Sequence, residues 1–259
     1  MISVVLATYN RAKTLPRAVN SVLRQSYSDW ELIVVDDGST DETPQFLASI
    51  SDPRVVVCRH AENRGVTAAK NTGLDHIRGD WFTTFDSDDE LTPDAFAVMI
   101  ECAARTGANA ITCNCTDFVT GRMTGCGPSR DGRLAADEAA KCRGDHWGLT
   151  KTSLLGDWRF DERLPGFEST LWLKINRIAR RYYIHRALSI KHNEGADRVT
   201  VAIQRADVRH KVRVNLILGE DHAYLGALRA ADRQAYQRTM LRVWAARFLR
   251  LVAYRSERW

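Results

Sequence analysis

No pair of cysteines in this chain is spaced as CxxC, and none of its six, at 58, 102, 113, 115, 126 and 142, belongs to a ligand cluster. That argues against a structural zinc site and against a disulfide framework. A chain of 259 residues seldom needs staples, so reduced thiols are expected. Long apolar runs are also missing: none reaches the roughly 18 residues a spanning helix requires. The amino end enters a strand directly, without a basic region and long apolar stretch, so no signal peptide is expected. The expected location is the cytosol. Two phosphate cradles are absent as well. No GxGxxG follows the first apolar run, and no GxxxxGK[ST] occurs anywhere, which excludes the usual dinucleotide and P-loop sites. There are no internal repeats and no low-complexity linkers.

What is present suits one large α/β domain with a helical tail. Apolar residues make up 44% and charged residues 27%, enough core to argue against disorder. The formal net charge of +5 would suit nucleic acid, an anionic membrane or an anionic donor, and does not choose among them. Short apolar runs at Ile2–Ala7, Glu31–Val35, Arg54–Cys58 and Trp81–Phe85 alternate with helical patterns. Those patterns open near Thr14, after a Ser39-to-Glu42 capping box, at Val66, and after Thr92-Pro93. Such alternation predicts βαβ units and a mostly parallel sheet covered on both faces, where ligands bind beyond the carboxyl ends of the strands.

Three of the four runs end in polar residues: Thr8-Tyr9-Asn10, Asp36-Asp37, and Asp86 through Asp89. These ends should converge on one rim. Carboxylates repel phosphate, so an anionic ligand there needs a divalent cation. Asp86-x-Asp88 offers hard oxygen ligands suited to Mg²⁺ or Mn²⁺ bridging a diphosphate.

Four segments in order, VVLATYNR (4–11), ELIVVDDGSTD (31–41), NRGVTAAKNTGL (63–74) and FDSDDELTPDAF (85–96), resemble the family 2 inverting glycosyltransferases of polysaccharide biosynthesis. The resemblance implies a GT-A fold over residues 1–200, a nucleotide-diphosphate sugar donor (a UDP-sugar), a glycan or lipid-linked acceptor, Mn²⁺ or Mg²⁺, and no nucleic acid partner. It implies nucleotide contacts from Ala7, Thr8, Tyr9, Asn10, Arg11, Asp36, Asp37, Lys70, Asp86 and Ser87. Asp37 is the residue expected to meet the base, or else to cap a helix. Asp88 and His192 fall where the family holds its metal. His146, Trp147 and Asp89 fall near the acceptor, with ordinary packing as the alternative for Trp147.

The family's FDE…EDxxLWxR pattern is matched by Phe160-Asp-Glu162 and by Gly166-Phe-Glu-Ser-Thr-Leu-Trp-Leu-Lys174, with two departures. Glu168 stands where an aspartate is usual, and Phe167 where a glutamate is common. Lys70 also replaces a frequent arginine. Glu168 is the expected general base, taking the acceptor proton; its alternative is to cap the following helix. The segment to Thr200, with Arg198, is expected to act as a lid. Beyond it the resemblance stops. Two helices are expected, at 208–228 and 232–254, within a 201–259 extension. The second, with Arg242, Arg247, Arg250, Arg255 and Arg258 among apolar residues, fits either docking at the inner face of the membrane or packing on the domain. A sugar-nucleotide nucleotidyltransferase and a non-catalytic sugar-nucleotide-binding module are the rival readings.

Overall fold

The computed structural model describes residues 1–142, 144–164, 166–192 and 208–254. The four expected strand–helix units are present: β1 (Ile2–Thr8), α1 (Leu15–Leu23), β2 (Trp30–Asp36), α2 (Thr43–Ala48), β3 (Val55–Arg59), α3 (Val66–Leu74) and β4 (Trp81–Asp86). A two-residue strand β5 (Glu90–Leu91) and helix α4 (Ala95–Thr106) follow. The second half adds β6 (Ala110–Asp117), β7 (Gly132–Leu134), α5 (Ala136–Lys141), β8 (His146–Lys151), α6 (Ser169–Ile178) and β9 (Arg181–Lys191).

The sheet runs β3-β2-β1-β4-β8-β6-β9-β5, with β7 on β9. β1, β2, β3 and β4 pair in parallel; β8 is antiparallel to β4 and β6. This is the mostly parallel, helix-flanked GT-A architecture. Side chains alternate across each strand. Val4, Leu6, Leu32 and Val34 pack towards α1 and α4, while Val5, Ile33 and Val35 pack towards α3 and α6. Gly73 lets α3 lie directly on β1, since a Cβ there would overlap the Val5 side chain.

Among the described residues the carboxyl end holds three helices rather than two: α7 (Val208–Leu218), α8 (His222–Ala231) and α9 (Arg233–Tyr254). The break falls at Gly219–Asp221, where the Asp221 carboxylate caps α8 by accepting from the Tyr224 amide at 2.9 Å. Leu164, Val214, Ile217, Leu218, Tyr224, Leu225 and Leu228 form a separate apolar cluster, to which Phe167 and Leu173 contribute. The helices thus sit on α6 and the loop before it. The expected lid with Arg198, and Arg255 and Arg258, lie outside the described residues.

Candidate active site

The carboxyl ends of β1 and β2 form one continuous rim. Asn10 adopts a left-handed conformation (φ 51°), rare for a residue with a side chain. Its Oδ1 accepts from the Thr40 amide (2.8 Å), and its own amide donates to Ser39 Oγ (2.9 Å). Ser39 is therefore spent on Asn10, and the expected capping box does not form. Glu42 is the N-cap of α2 and makes no side-chain capping bond, while Asp41 before it accepts from the Thr43 amide at 3.0 Å. Gly38 (φ +76°) lies against the Glu62 backbone, where a Cβ would approach to 2.7 Å.

The two acids of this rim are buried and differ in occupancy. Asp37 does not cap a helix. Its carboxylate takes three donors: His60 Nδ1 (2.6 Å), the Arg64 amide (3.0 Å) and the Gly65 amide (2.8 Å). A carboxylate has about four acceptor positions, so one is left. Asp36 uses Oδ1 on the Ser39 amide (2.9 Å), while its buried Oδ2 has no hydrogen bond. Thr8 Oγ1, beside it, is also buried without a partner. Tyr9 stands at the edge, 40% exposed.

At the end of β4 the charged groups meet. Lys70, on α3 and only 4% exposed, donates to Asp86 Oδ1 (3.1 Å) and to Glu168 Oε1 (2.5 Å). Lys191, at the end of β9, pairs with Asp86 Oδ2 (3.4 Å) and with Asp89. Burial alone would push both lysines down, but the neighbouring carboxylates hold them above the usual range. The Lys70 charge holds Asp86 well below the ordinary carboxylate value. Asp89 is pushed up to about 7 by burial, which the Lys191 charge only partly opposes while Asp86 adds to it. Asp88 is raised by burial and by the Asp86 charge, and its carboxylate has no partner among the described residues. Its carbonyl accepts from Arg17 (2.6 Å). Ser87 is buried between them.

Glu168 occupies the N-cap position of α6 without a side-chain capping bond. Its carboxylate faces Lys70 rather than the helix amides. Phe167 has turned into the apolar cluster beneath the carboxyl-terminal helices, which explains an aromatic ring where the resemblance implies an acid. Asp161 pairs with Arg163 (2.7 Å) and Glu162 with Asn71 (3.1 Å), so neither joins the cluster.

Trp147 is buried and stacks on Phe96 of α4 (6.2 Å between centroids), the ordinary packing that the sequence allowed, and it also lines the cavity beside Lys70 and Glu168. His192 is buried. It stacks on Phe118 at 4.3 Å and sits 3.4 Å from Glu90 Oε2. Among the described residues no three histidine, cysteine or acidic side chains form a metal-binding group. His146 lines a cavity of about 650 Å³ that runs from Lys70, Asp86 and Glu168 past Thr112, Trp172 and Asn176 to Arg181. Sequence reading missed Lys191 and Arg181; the first immediately precedes the singled-out His192, and the second carries no local signal.

A match to the model for glycosyl transferase family 2 covers residues 3–125. A Campylobacter jejuni protein named GalNAc(5)-diNAcBac-PP-undecaprenol beta-1,3-glucosyltransferase is 30% identical over 213 residues, which span 79% of this chain and 68% of that protein. The chain belongs to glycosyl transferase family 2. A further family relative, the Escherichia coli UDP-Glc:alpha-D-GlcNAc-diphosphoundecaprenol beta-1,3-glucosyltransferase WfgD, is 35% identical over 89 residues, 34% of this chain and 35% of that one. Among solved structures, S. aureus TarS 1-349 in complex with UDP-GlcNAc aligns over 100% of this chain and 92% of its own, with a TM-score of 0.68 at 17% identity. The mannosyltransferase PcManGT from Pyrobaculum calidifontis, in complex with GDP-Man and Mn²⁺, aligns over 96% and 80% with a TM-score of 0.57 at 21% identity. Both share the fold.

Proposed function

We propose that this family 2 glycosyltransferase moves a sugar from a UDP-sugar to a hydroxyl of a lipid-linked or glycan acceptor, with inversion at the anomeric carbon. One observation carries the reading. Lys70 joins Glu168 to Asp86, which puts a carboxylate from α6 within one side chain of the acidic end of β4. Glu168 Oε1 is held by Lys70, and Oε2 has no partner among the described residues. In the proposed step the acceptor oxygen bonds to the anomeric carbon and gives its proton to Glu168 Oε2. The bond from that carbon to the diphosphate breaks, and its electrons leave with the nucleoside diphosphate.

The rim fits a nucleotide. Thr8 Oγ1 is buried without a partner, and Asp36 Oδ2 has no hydrogen bond and only a 3.6 Å ion pair to Arg59, so both can form hydrogen bonds with a ribose or base. Asp37 fixes the 60–65 loop and keeps one acceptor position for a base N–H. The acidic end of β4 also fits a divalent cation. Two lysines face four carboxyl groups there, and the Asp88 carboxylate, within the field of Arg11 and Lys191, has no hydrogen bond or ion pair among the described residues. Mn²⁺ or Mg²⁺ held by Asp88 would neutralise the leaving diphosphate. With so few protein ligands, the remaining coordination would come from diphosphate and water, as is usual for Mg²⁺.

The acceptor reading draws on the diphospho-lipid acceptors in the relatives' names. It is joined by the outer face of α9. That helix has no acidic residue and five arginines. Val243 and Ala246 are buried against the molecule, while Leu241, Trp244 (68% exposed) and Phe248 project outward on successive turns. Trp244 and Phe248 stack at 6.0 Å. Arg238 and Arg242 flank this ridge on one side and Arg247 on the other. An apolar ridge between arginines suits an anionic bilayer surface, and no helix of the described residues is long and apolar enough to cross one.

A panel of nucleotide sugars, each with Mn²⁺, tests the donor assignment. UDP-sugars should raise the melting temperature and release UDP with a lipid-diphosphate sugar acceptor. No stabilisation by any uridine nucleotide, or none but by another base, would overturn it.

A further inference from the structure

Arg181 differs from Lys70, Lys191, Lys174 and Arg54. Lys70 has Asp86 and Glu168, Lys191 has Asp86 and Asp89, Lys174 has Asp221 at 2.6 Å, and Arg54 has Asp52 at 2.7 Å. Arg181 has no carboxylate partner among the described residues. Its one hydrogen bond goes to Thr112 Oγ1, and its Nε is buried without an acceptor. Burial lowers its pKa to about 10, and the only opposing influence is the Cys142 thiol. Arg181 is half-buried, and a guanidinium partly removed from water without an anion costs the fold stability unless it is paired or hydrogen-bonded throughout. Here the cost has no internal return.

The surroundings indicate what would supply it. Arg181 opens β9 beside Ala110 of β6 and Leu134 of β7, and it lines the same 650 Å³ cavity as Glu168. Two neutral polar groups on the cavity wall also lack partners: His146 Nε2 on β8 and Asn176 Oδ1 on α6. Burial and the nearby guanidinium lower the His146 pKa, which keeps that ring uncharged. Thr112, the residue Arg181 touches, lies two residues before Asn114, the partner of His146, or about 7 Å along the strand. A cation, neutral hydrogen-bonding groups and a carboxylate base lining one cavity match a saccharide carrying an anionic group.

We propose that Arg181 anchors an oxyanion subsite in the acceptor half of the cavity, taking a phosphate or carboxylate attached to the acceptor saccharide. Arg181 is suited to this because its planar fork binds such groups through two parallel hydrogen bonds. The subsite rests on the transferase reading above but concerns the acceptor alone, so donor binding is measured separately.

The test uses the full chain saturated with UDP and Mn²⁺, titrated calorimetrically with N-acetylglucosamine 1-phosphate, glucuronic acid and neutral N-acetylglucosamine. At least one anionic sugar should bind about tenfold or more tighter than the neutral one, the usual value of a charged hydrogen bond; which one does so distinguishes phosphate from carboxylate. Arg181→Met should remove that preference while leaving UDP affinity within about twofold. It should also melt no lower than the parent without ligand, because an unpaired half-buried charge has been deleted. Phosphate should raise the melting temperature of the parent and not of the variant. Arg181→Lys keeps the charge without the fork and should bind the anionic sugar several-fold more weakly. It serves as the test should Arg181→Met fail to fold. Equal binding of charged and neutral sugars, or an anion preference that survives in Arg181→Met (in Arg181→Lys at full parental strength, should Met not fold), overturns the subsite. Loss of UDP binding in the parent would instead overturn the donor reading.

Discussion

Replacing Glu168 by glutamine separates its proposed role as base from its role as partner of Lys70. Breaking a fully buried ion pair typically costs about 3–5 kcal/mol. The Glu168 side chain is 32% exposed, however, and Lys70 keeps Asp86 at 3.1 Å. The glutamine oxygen still accepts from the ammonium, so the cost should be nearer about 1 kcal/mol, a fall in melting temperature of roughly 2–4 °C for a domain of this size. UDP affinity with Mn²⁺ should stay within a few-fold. Transfer should fall by about 10²–10⁴, the contribution of a positioned general base. Turnover is measured as UDP release and affinity by calorimetry. Near-parental turnover would refute the assignment, and a drop in UDP affinity matching the drop in rate would reduce Glu168 to a donor-site support. Glu168→Asp withdraws the carboxylate by about one bond length, and a displacement near 1 Å costs on the order of 10²-fold. Adding Lys70→Arg, whose longer side chain can follow the carboxylate back, should recover part of that loss. Independent effects of the two changes would argue that the pair does not position the base.

Asp88→Asn should lower Mn²⁺-dependent UDP affinity at least about tenfold, as expected when a charged ligand is lost, yet leave the free protein as stable as the parent or more so, because an unpaired acid beside Asp86 is removed. Undiminished Mn²⁺-dependent affinity, by calorimetry, would refute the metal assignment. Trp244→Ser combined with Phe248→Ser should abolish co-sedimentation with anionic vesicles without altering UDP binding. The parent's vesicle binding should weaken with salt, because each arginine contributes only about 1 kcal/mol through a screened interaction. Vesicle binding unaffected by the double change would assign the ridge another partner.

The sheet and its acidic rim were legible in the sequence for a local reason. β1, β2 and β4 are short apolar runs that stop abruptly at Thr8, Asp36 and Asp86, and helical sequence separates the strands. The hydrogen bonds of the rim were not legible, because they cross between strand ends. Ser39 has the spacing of a cap but is recruited by Asn10, 29 residues away, and α2 starts four residues later, at Thr43. Lys191 was hidden because β9 extends two residues beyond the apolar pattern, held there by pairing across to β5 and β6. The surroundings of His192 were hidden for the same reason: nothing local to it announces Phe118 or Glu90.

The departures from the family pattern become intelligible only in three dimensions. Phe167 is needed by the carboxyl-terminal helices, since its ring joins Leu164 and Leu173 against Val214, Ile217 and Tyr224. An acid there would be buried among apolar side chains at considerable cost. Its neighbour Glu168 carries one methylene more than the usual aspartate, and the cation it meets is a lysine, shorter than the usual arginine. A longer acid facing a shorter base preserves the reach of the pair, and the Nζ–Oε1 distance of 2.5 Å is its result. Read one position at a time, Lys70 and Glu168 are two exceptions that weaken the resemblance. Read as a pair bridging α3 and α6, they keep the carboxylate tethered to the acidic end of β4. The helical extension and the altered motif are then parts of one arrangement, in which packing of the tail fixes residue 167 and the ion pair fixes residue 168.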